Sequence, residues 1–283
     1  MKIGVIVDSF RLGIREGLKK AKEVGAHGVQ MYAVSGEMAP ENLSTQARKD
    51  LRNYIADLGL EISAICGDLG GHGFTRAEDN PRKIQRSKEI MDLAVELGTN
   101  VVTTHVGVIP ADEQDPTWQL LHAACSELAE YANSIGAHFA IETGPEKATT
   151  LKKFLDSIPG KGIAVNMDPA NLVMVTGDDP VQAVYTLKDY IVHTHAKDGI
   201  MRKQTDPKVI YDYFAEGGIE DLRLEDYFLE TPLGEGQVDF PAYLKALREI
   251  GFDGYLTIER EVGANPEVDI RKAVTFLQEL LKA

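Results

Sequence analysis

Five residues share one relative place in the chain, where a short apolar run gives way to a turn. They are His105 in NVVTTHVG, Glu142 in HFAIET, Asp168 in GIAVNMD, His195 in YIVHTHA and Glu259 in YLTIER. Imidazoles and carboxylates hold divalent cations and move protons near neutral pH. A single Asp or Glu at such a place is ordinary, because it commonly caps the helix that follows. A set is different: carboxylates gathered in an apolar interior lose their hydration and repel one another unless a cation holds them. Oxygen ligands from Glu142, Asp168 and Glu259 with the imidazole of His195 suit one divalent ion, Mn2+, Mg2+, Co2+ or Zn2+, without discriminating among them.

The elements that must position these residues alternate along the chain. Eight apolar runs of strand length cover 2–8, 27–33, 61–68, 100–107, 138–143, 162–168, 190–196 and 255–260. Between them lie charged segments such as IREGLKKAKEVG and RKIQRSKEIMDLAVELG, with apolar residues at three- and four-residue spacing. Several end on a glycine suited to a left-handed helix cap: Gly25, Gly59, Gly98, Gly136 and Gly251. Eight strand–helix units in one chain of this length predict a (β/α)8 TIM barrel, a single α/β domain over 1–283. A doubly wound open sheet is the rival, but the first strand runs into DSFRLG without a glycine-rich phosphate loop. In such barrels the site is built at the C-terminal strand ends, where the five residues stand. Successive strand side chains alternate between faces, so His193, His195 and Lys197 of YIVHTHAKDG share one face.

The bulk properties narrow the class. The 283 residues are 43% hydrophobic, enough for a large core. The formal net charge of -14 argues against a surface that tracks nucleic-acid phosphates. No run is long enough to cross a bilayer, and Asp8 interrupts the one apolar stretch near the N-terminus, which does not read as a secretory signal. Two cysteines, Cys66 and Cys125, make no disulfide framework, so reduced thiols and a cytoplasmic location are expected. The segment 199–236, an insertion between the seventh and eighth strands, is longer than an ordinary loop and carries DYF twice. It has two uses open to it: closing over a substrate, or contacting another subunit of a homo-oligomer.

The series IET (141–143), NMDPAN (166–171), HTHAKD (193–198) and GEGQVDFPAYLKALREIGFDGYLTIE (234–259) resembles the xylose isomerase-like TIM-barrel superfamily, in particular its sugar phosphate isomerase/epimerase branch. The resemblance implies one divalent metal ion, manganese among the candidates, bound by Glu142, Asp168, His195 and Glu259. It makes the second imidazole of HTH the ligand and places His193 a layer deeper. Some ketose 3-epimerases and endonuclease IV-like relatives carry a histidine where this chain has Asn171, which can still bond a sugar hydroxyl. His72 and His105 resemble further ligands of the endonuclease branch, but no DxH pair follows the seventh strand to complete a three-metal cluster.

The expected chemistry is carbohydrate metabolism: isomerisation or epimerisation of a keto sugar, sugar phosphate or related polyol through an enediolate, with Glu142 and Glu259 as proton-transfer bases. A metal-dependent dehydratase of a keto-inositol or keto-acid starts with the same proton abstraction and is the alternative. An endonuclease-like phosphoesterase and an inactive binding barrel rank below both. His72, His105, Asn171, Lys197 and Trp118 are the candidate substrate contacts. The expected partner is a small carbohydrate, with neither nucleic acid nor membrane.

Overall fold

The computed structural model describes every residue except Glu220 and Ala283. Each of the eight apolar runs forms a strand of one closed parallel barrel: β1 (Lys2–Ile6), β2 (Gly28–Tyr32), β3 (Glu61–Cys66), β4 (Val101–Thr104), β5 (His138–Glu142), β6 (Ile163–Met167), β7 (Ile191–Ala196) and, after an insertion, β10 (Tyr255–Ile258). The fold is a single-domain (β/α)8 TIM barrel, closed where β1 pairs β10 with Gly4 opposite Thr257. A Cβ on Gly4 would stand 2.6 Å from the Thr257 hydroxyl, so a side chain there would force that seam apart.

The helices that wrap the barrel are α1 (Ile14–Val24), α2 (Thr45–Asp57), α3 (Asn80–Leu97), α4 (Pro116–Ile135), α5 (Ala148–Asp156), α6 (Pro180–Leu187), α8 (Phe240–Glu249) and α9 (Pro266–Lys282), with α7 (Pro207–Ala215) in the insertion. All five glycines expected to close helices have positive φ. At Gly98 (φ 98°) the backbone N–H turns back onto the carbonyls of Ala94 and Val95, the geometry that ends α3 and launches β4. Among the described residues, no helix is long and apolar enough to cross a membrane.

The barrel interior departs from the branched apolar filling usual in this fold. Ala64, Val101, Ala140 and Ala164 form a small apolar cluster of their own. Beside it, Gln30 donates to Thr103 Oγ1 at 3.1 Å, and His193 Nδ1 bonds Asn166 Oδ1 at 2.9 Å. His193 Nε2 lies 3.0 Å from Thr257 Oγ1. Burying these groups is tolerable because each finds a partner inside the barrel.

The insertion is built, not loose. β8 (Asp198–Met201) and β9 (Phe228–Thr231) form an antiparallel pair, and α7 lies between them in sequence. Asp198 anchors the return of the chain by accepting backbone N–H bonds from Gly234 (3.0 Å), Gly236 (3.0 Å) and Val238 (3.1 Å). The first DYF lies on α7, and Phe228 of the second starts β9.

Candidate active site

Glu142, Asp168, His195 and Glu259 each offer one ligand atom, and these atoms all lie within 4.8 Å of one another. All four residues are buried. The side chains come from the ends of β5, β6, β7 and β10, where inward-pointing positions converge as the barrel opens. His195 Nδ1 faces the centre, 3.7 Å from Glu142 Oε2, 3.5 Å from Asp168 Oδ2 and 3.3 Å from Glu259 Oε2. Its Nε2 lies 3.1 Å from Gln30 Oε1 and 3.2 Å from Asn166 Nδ2, so Nδ1 is the ring nitrogen turned toward the carboxylates, where it would meet a cation.

Asp168 provides the test of whether a cation fits. Its Oδ1 accepts from Asn171 N at 2.9 Å, the ordinary helix-capping bond. Its Oδ2 is buried with no hydrogen-bond partner. A wholly buried carboxylate oxygen with no hydrogen-bond partner, aimed at two further carboxylates and an imidazole nitrogen, is what a divalent ion satisfies. Zn2+, Mn2+ and their neighbours accept this mixed oxygen and nitrogen set.

The surrounding side chains hold the carboxylates in place. Asn166 Nδ2 donates to Glu142 Oε2 at 3.0 Å, and Asn171 Nδ2 donates to Oε1 at 2.9 Å. Burial works against ionised Glu142, but His195 and His105 together bring its carboxyl below the usual range. Lys197 donates to Glu259 Oε2 at 3.0 Å and to Glu261 Oε2 at 2.5 Å. Burial opposes both charges of the Lys197–Glu259 pair, yet their mutual attraction keeps the lysine cationic and the glutamate ionised. Burial likewise opposes a proton on His195, but Glu259, Glu142 and Asp168 raise it well above an ordinary histidine. His193, one layer down, is pushed well below the ordinary value by burial and by His195.

A cavity of about 1100 Å3 opens over the cluster. Glu142, His195, Glu259, Asn171, Lys197, His105 and His72 line it. His105 Nδ1 lies 3.0 Å from Asp68 Oδ2, while its buried Nε2 has no partner and stands 3.7 Å from Glu142 Oε1. Burial alone would lower the His105 pKa, but Glu142 and Asp68 raise it to about 10. His72 touches the cavity, but its ring is engaged by the insertion, with Nε2 2.5 Å from Glu216 Oε1 and Nδ1 3.4 Å from Asp212 Oδ1. It reads as a tie between the loop after β3 and α7 rather than a free substrate contact.

Trp118 is the clear correction. It is buried near the start of α4, edge-on to Phe154 of α5 with ring centroids 5.1 Å apart, and takes no part in the cavity wall. The expectation failed because an aromatic at a helix start reads the same whether it packs against the next helix or faces a ligand. Asp68 and Tyr211 are among the cavity residues that escaped the sequence reading. Asp68 closes the apolar run 61–68, two residues past the end of β3, so the strand-end rule would have found it. Tyr211, whose ring lies 5.6 Å from that of His105, comes from the insertion, which no strand-end rule reaches.

Comparison with known proteins agrees with this architecture. A family model described as a xylose isomerase-like TIM barrel matches residues 18–280. A protein of uncharacterised function from Methanocaldococcus jannaschii is 27% identical over 92% of this chain and 83% of its own length. An inosose dehydratase from Lacticaseibacillus casei is 25% identical over 58% of this chain, and the match spans only 54% of that enzyme. The crystal structure of a xylose isomerase domain protein from Planctomyces limnophilus superposes with a TM-score of 0.82 at 26% identity, covering 99% of this chain and 97% of the other.

Proposed function

Because the chain belongs to the xylose isomerase-like TIM-barrel family, we propose that it is a divalent-metal-dependent isomerase or epimerase of a keto sugar or related polyol, acting by removal of the proton beside a carbonyl. The observation that carries this reading is the meeting of Glu142, Asp168, His195 and Glu259 at one buried point below an open cavity. A dication held there supplies Lewis acidity, offsetting the negative charge that proton removal places on the sugar oxygens.

The chain's own residues do the rest. Glu142 and Glu259 arrive from separate strands and both line the cavity, so each can reach a bound sugar. In epimerisation one takes the proton from one face and the other returns it to the opposite face; aldose–ketose isomerisation needs only one. Asn166 and Asn171 orient Glu142 through both of its oxygens, and Lys197 orients Glu259. Tyr211 lines the cavity beside His105, its ring 5.6 Å from the imidazole.

Dehydration of a keto-inositol is the second reading, favoured by the similarity to inosose dehydratase and by His105. The unpartnered Nε2 of His105, beside Glu142, is placed to give a proton to a departing hydroxyl. Incubation of the Mn2+-loaded protein with ketoses and inososes in D2O distinguishes the two. Deuterium entering beside the carbonyl without loss of water supports the isomerase or epimerase, and loss of water supports the dehydratase. Neither outcome across the panel would refute both.

A further inference from the structure

The cavity is larger than one sugar ring requires. Resting on the reading of the site just given, we infer that its substrate is an uncharged keto sugar or polyol joined to an apolar group, in the manner of an aryl or alkyl glycoside, without phosphate or carboxylate. About 1100 Å3 exceeds the roughly 300–1,000 Å3 that encloses a drug-sized ligand. The cluster residues Glu142, His195 and Glu259 line the cavity. Apolar side chains also line it, mainly from the insertion: Tyr213, Phe214, Leu224, Phe228 and Leu229, joined by Val262. Phe214 is 58% exposed and Val262 46% exposed, so these side chains offer apolar surface that nothing among the described residues covers. Tyr211 and Phe214 stand three apart on α7, on neighbouring positions of one helix face, which carries the apolar lining to His105.

Charge decides against an anion. Acidic side chains lining the cavity outnumber lysines and arginines nine to three. Each of the three lysine and arginine side chains among the described lining residues already has a carboxylate partner: Lys197 with Glu259 and Glu261, Arg76 with Glu216, and Lys208 with Asp212. A phosphate ester would enter this cavity against net repulsion with no unengaged guanidinium or ammonium to receive it. A neutral polyol meets no such penalty, and an apolar substituent gains by covering the exposed apolar side chains.

Calorimetric titration of the Mn2+-loaded protein with D-glucose, D-glucose 6-phosphate and 4-nitrophenyl β-D-glucopyranoside tests this. The aryl glucoside should bind at least ten-fold more tightly than glucose, and the phosphate at least ten-fold more weakly. The double variant Phe214→Ser/Leu229→Ser should lose the aryl advantage while its affinity for glucose stays within two-fold. A phosphate that binds more tightly than glucose, an aryl group that adds nothing, an aryl advantage that survives the double substitution, or no measurable binding of any of the three would overturn the inference. So would a wild-type dimer that the double variant dissociates in sedimentation, since a second copy would then own those side chains. Deuterium exchange into a ketose without an aryl advantage sinks this inference and spares the proposed function; an aryl advantage without exchange or water loss does the reverse.

Discussion

Replacing Asp168 by Asn separates a cluster built for a cation from one that is merely acidic. The amide oxygen can still accept the Asn171 N–H that Oδ1 now accepts at 2.9 Å, so the cap survives and only the charge is lost. The ligand atoms lie within 4.8 Å of one another, so at an effective dielectric constant near 20 each carboxylate pair repels by roughly 3–4 kcal/mol. Asp168→Asn removes two such repulsions, about 7 kcal/mol. It also removes one attraction to the protonated His195 ring, 3.5 Å away, worth about 5 kcal/mol. The metal-free variant should therefore be more stable than the metal-free wild type by about 2 kcal/mol, a rise in Tm of about 4 °C for a chain of this size. Manganese reverses the order. At a free concentration one hundred times Kd it stabilises the wild type by about 2.7 kcal/mol, or about 5 °C, whereas the variant, lacking one ligand, gains little. Scanning calorimetry with EDTA and then with Mn2+ reads both arms. An equal gain with Mn2+ in the two proteins, or a metal-free variant that melts several degrees below wild type, would refute the assignment of Asp168 as a ligand.

Other outcomes follow from the same geometry. Glu142→Gln should keep the fold yet lower kcat by about 10²–10⁴, the usual worth of a positioned base, measured on whichever ketose exchanges deuterium. Trp118→Ala should cost about 3–5 kcal/mol in denaturant unfolding without moving KM, because the ring packs on Phe154 and not on substrate. Burial pushes the Glu146 carboxyl up to about 8. Its folded-state value lies above its unfolded one, so the native state holds the extra proton and stability falls as pH rises from about 4.5 to about 8. Glu146→Gln should flatten that slope in unfolding curves taken across the window, and an unchanged slope would assign it to other groups.

Much of the architecture was legible in the chain because the signals behind it are local. An apolar strand, a polar turn, an amphipathic helix and a glycine cap each declare themselves within a dozen residues, and eight repeats leave few ways to close a sheet. The positions of Glu142, Asp168, His195 and Glu259 at strand ends were legible for the same reason, and parallel pairing brings such ends to one rim. What the chain could not declare was which partner each side chain meets across the barrel. Asp168 reads as a cap in sequence and is one, but only the fold leaves its second oxygen bare before two other carboxylates. Trp118 and Tyr211 have equally ambiguous neighbours in sequence. Helix packing sends the first into the shell between α4 and α5, and the insertion brings the second to within 5.6 Å of His105. The difference is one of range: backbone periodicity is written in adjacent residues, whereas desolvation and charge crowding depend on groups scores of positions apart that meet only when the barrel closes.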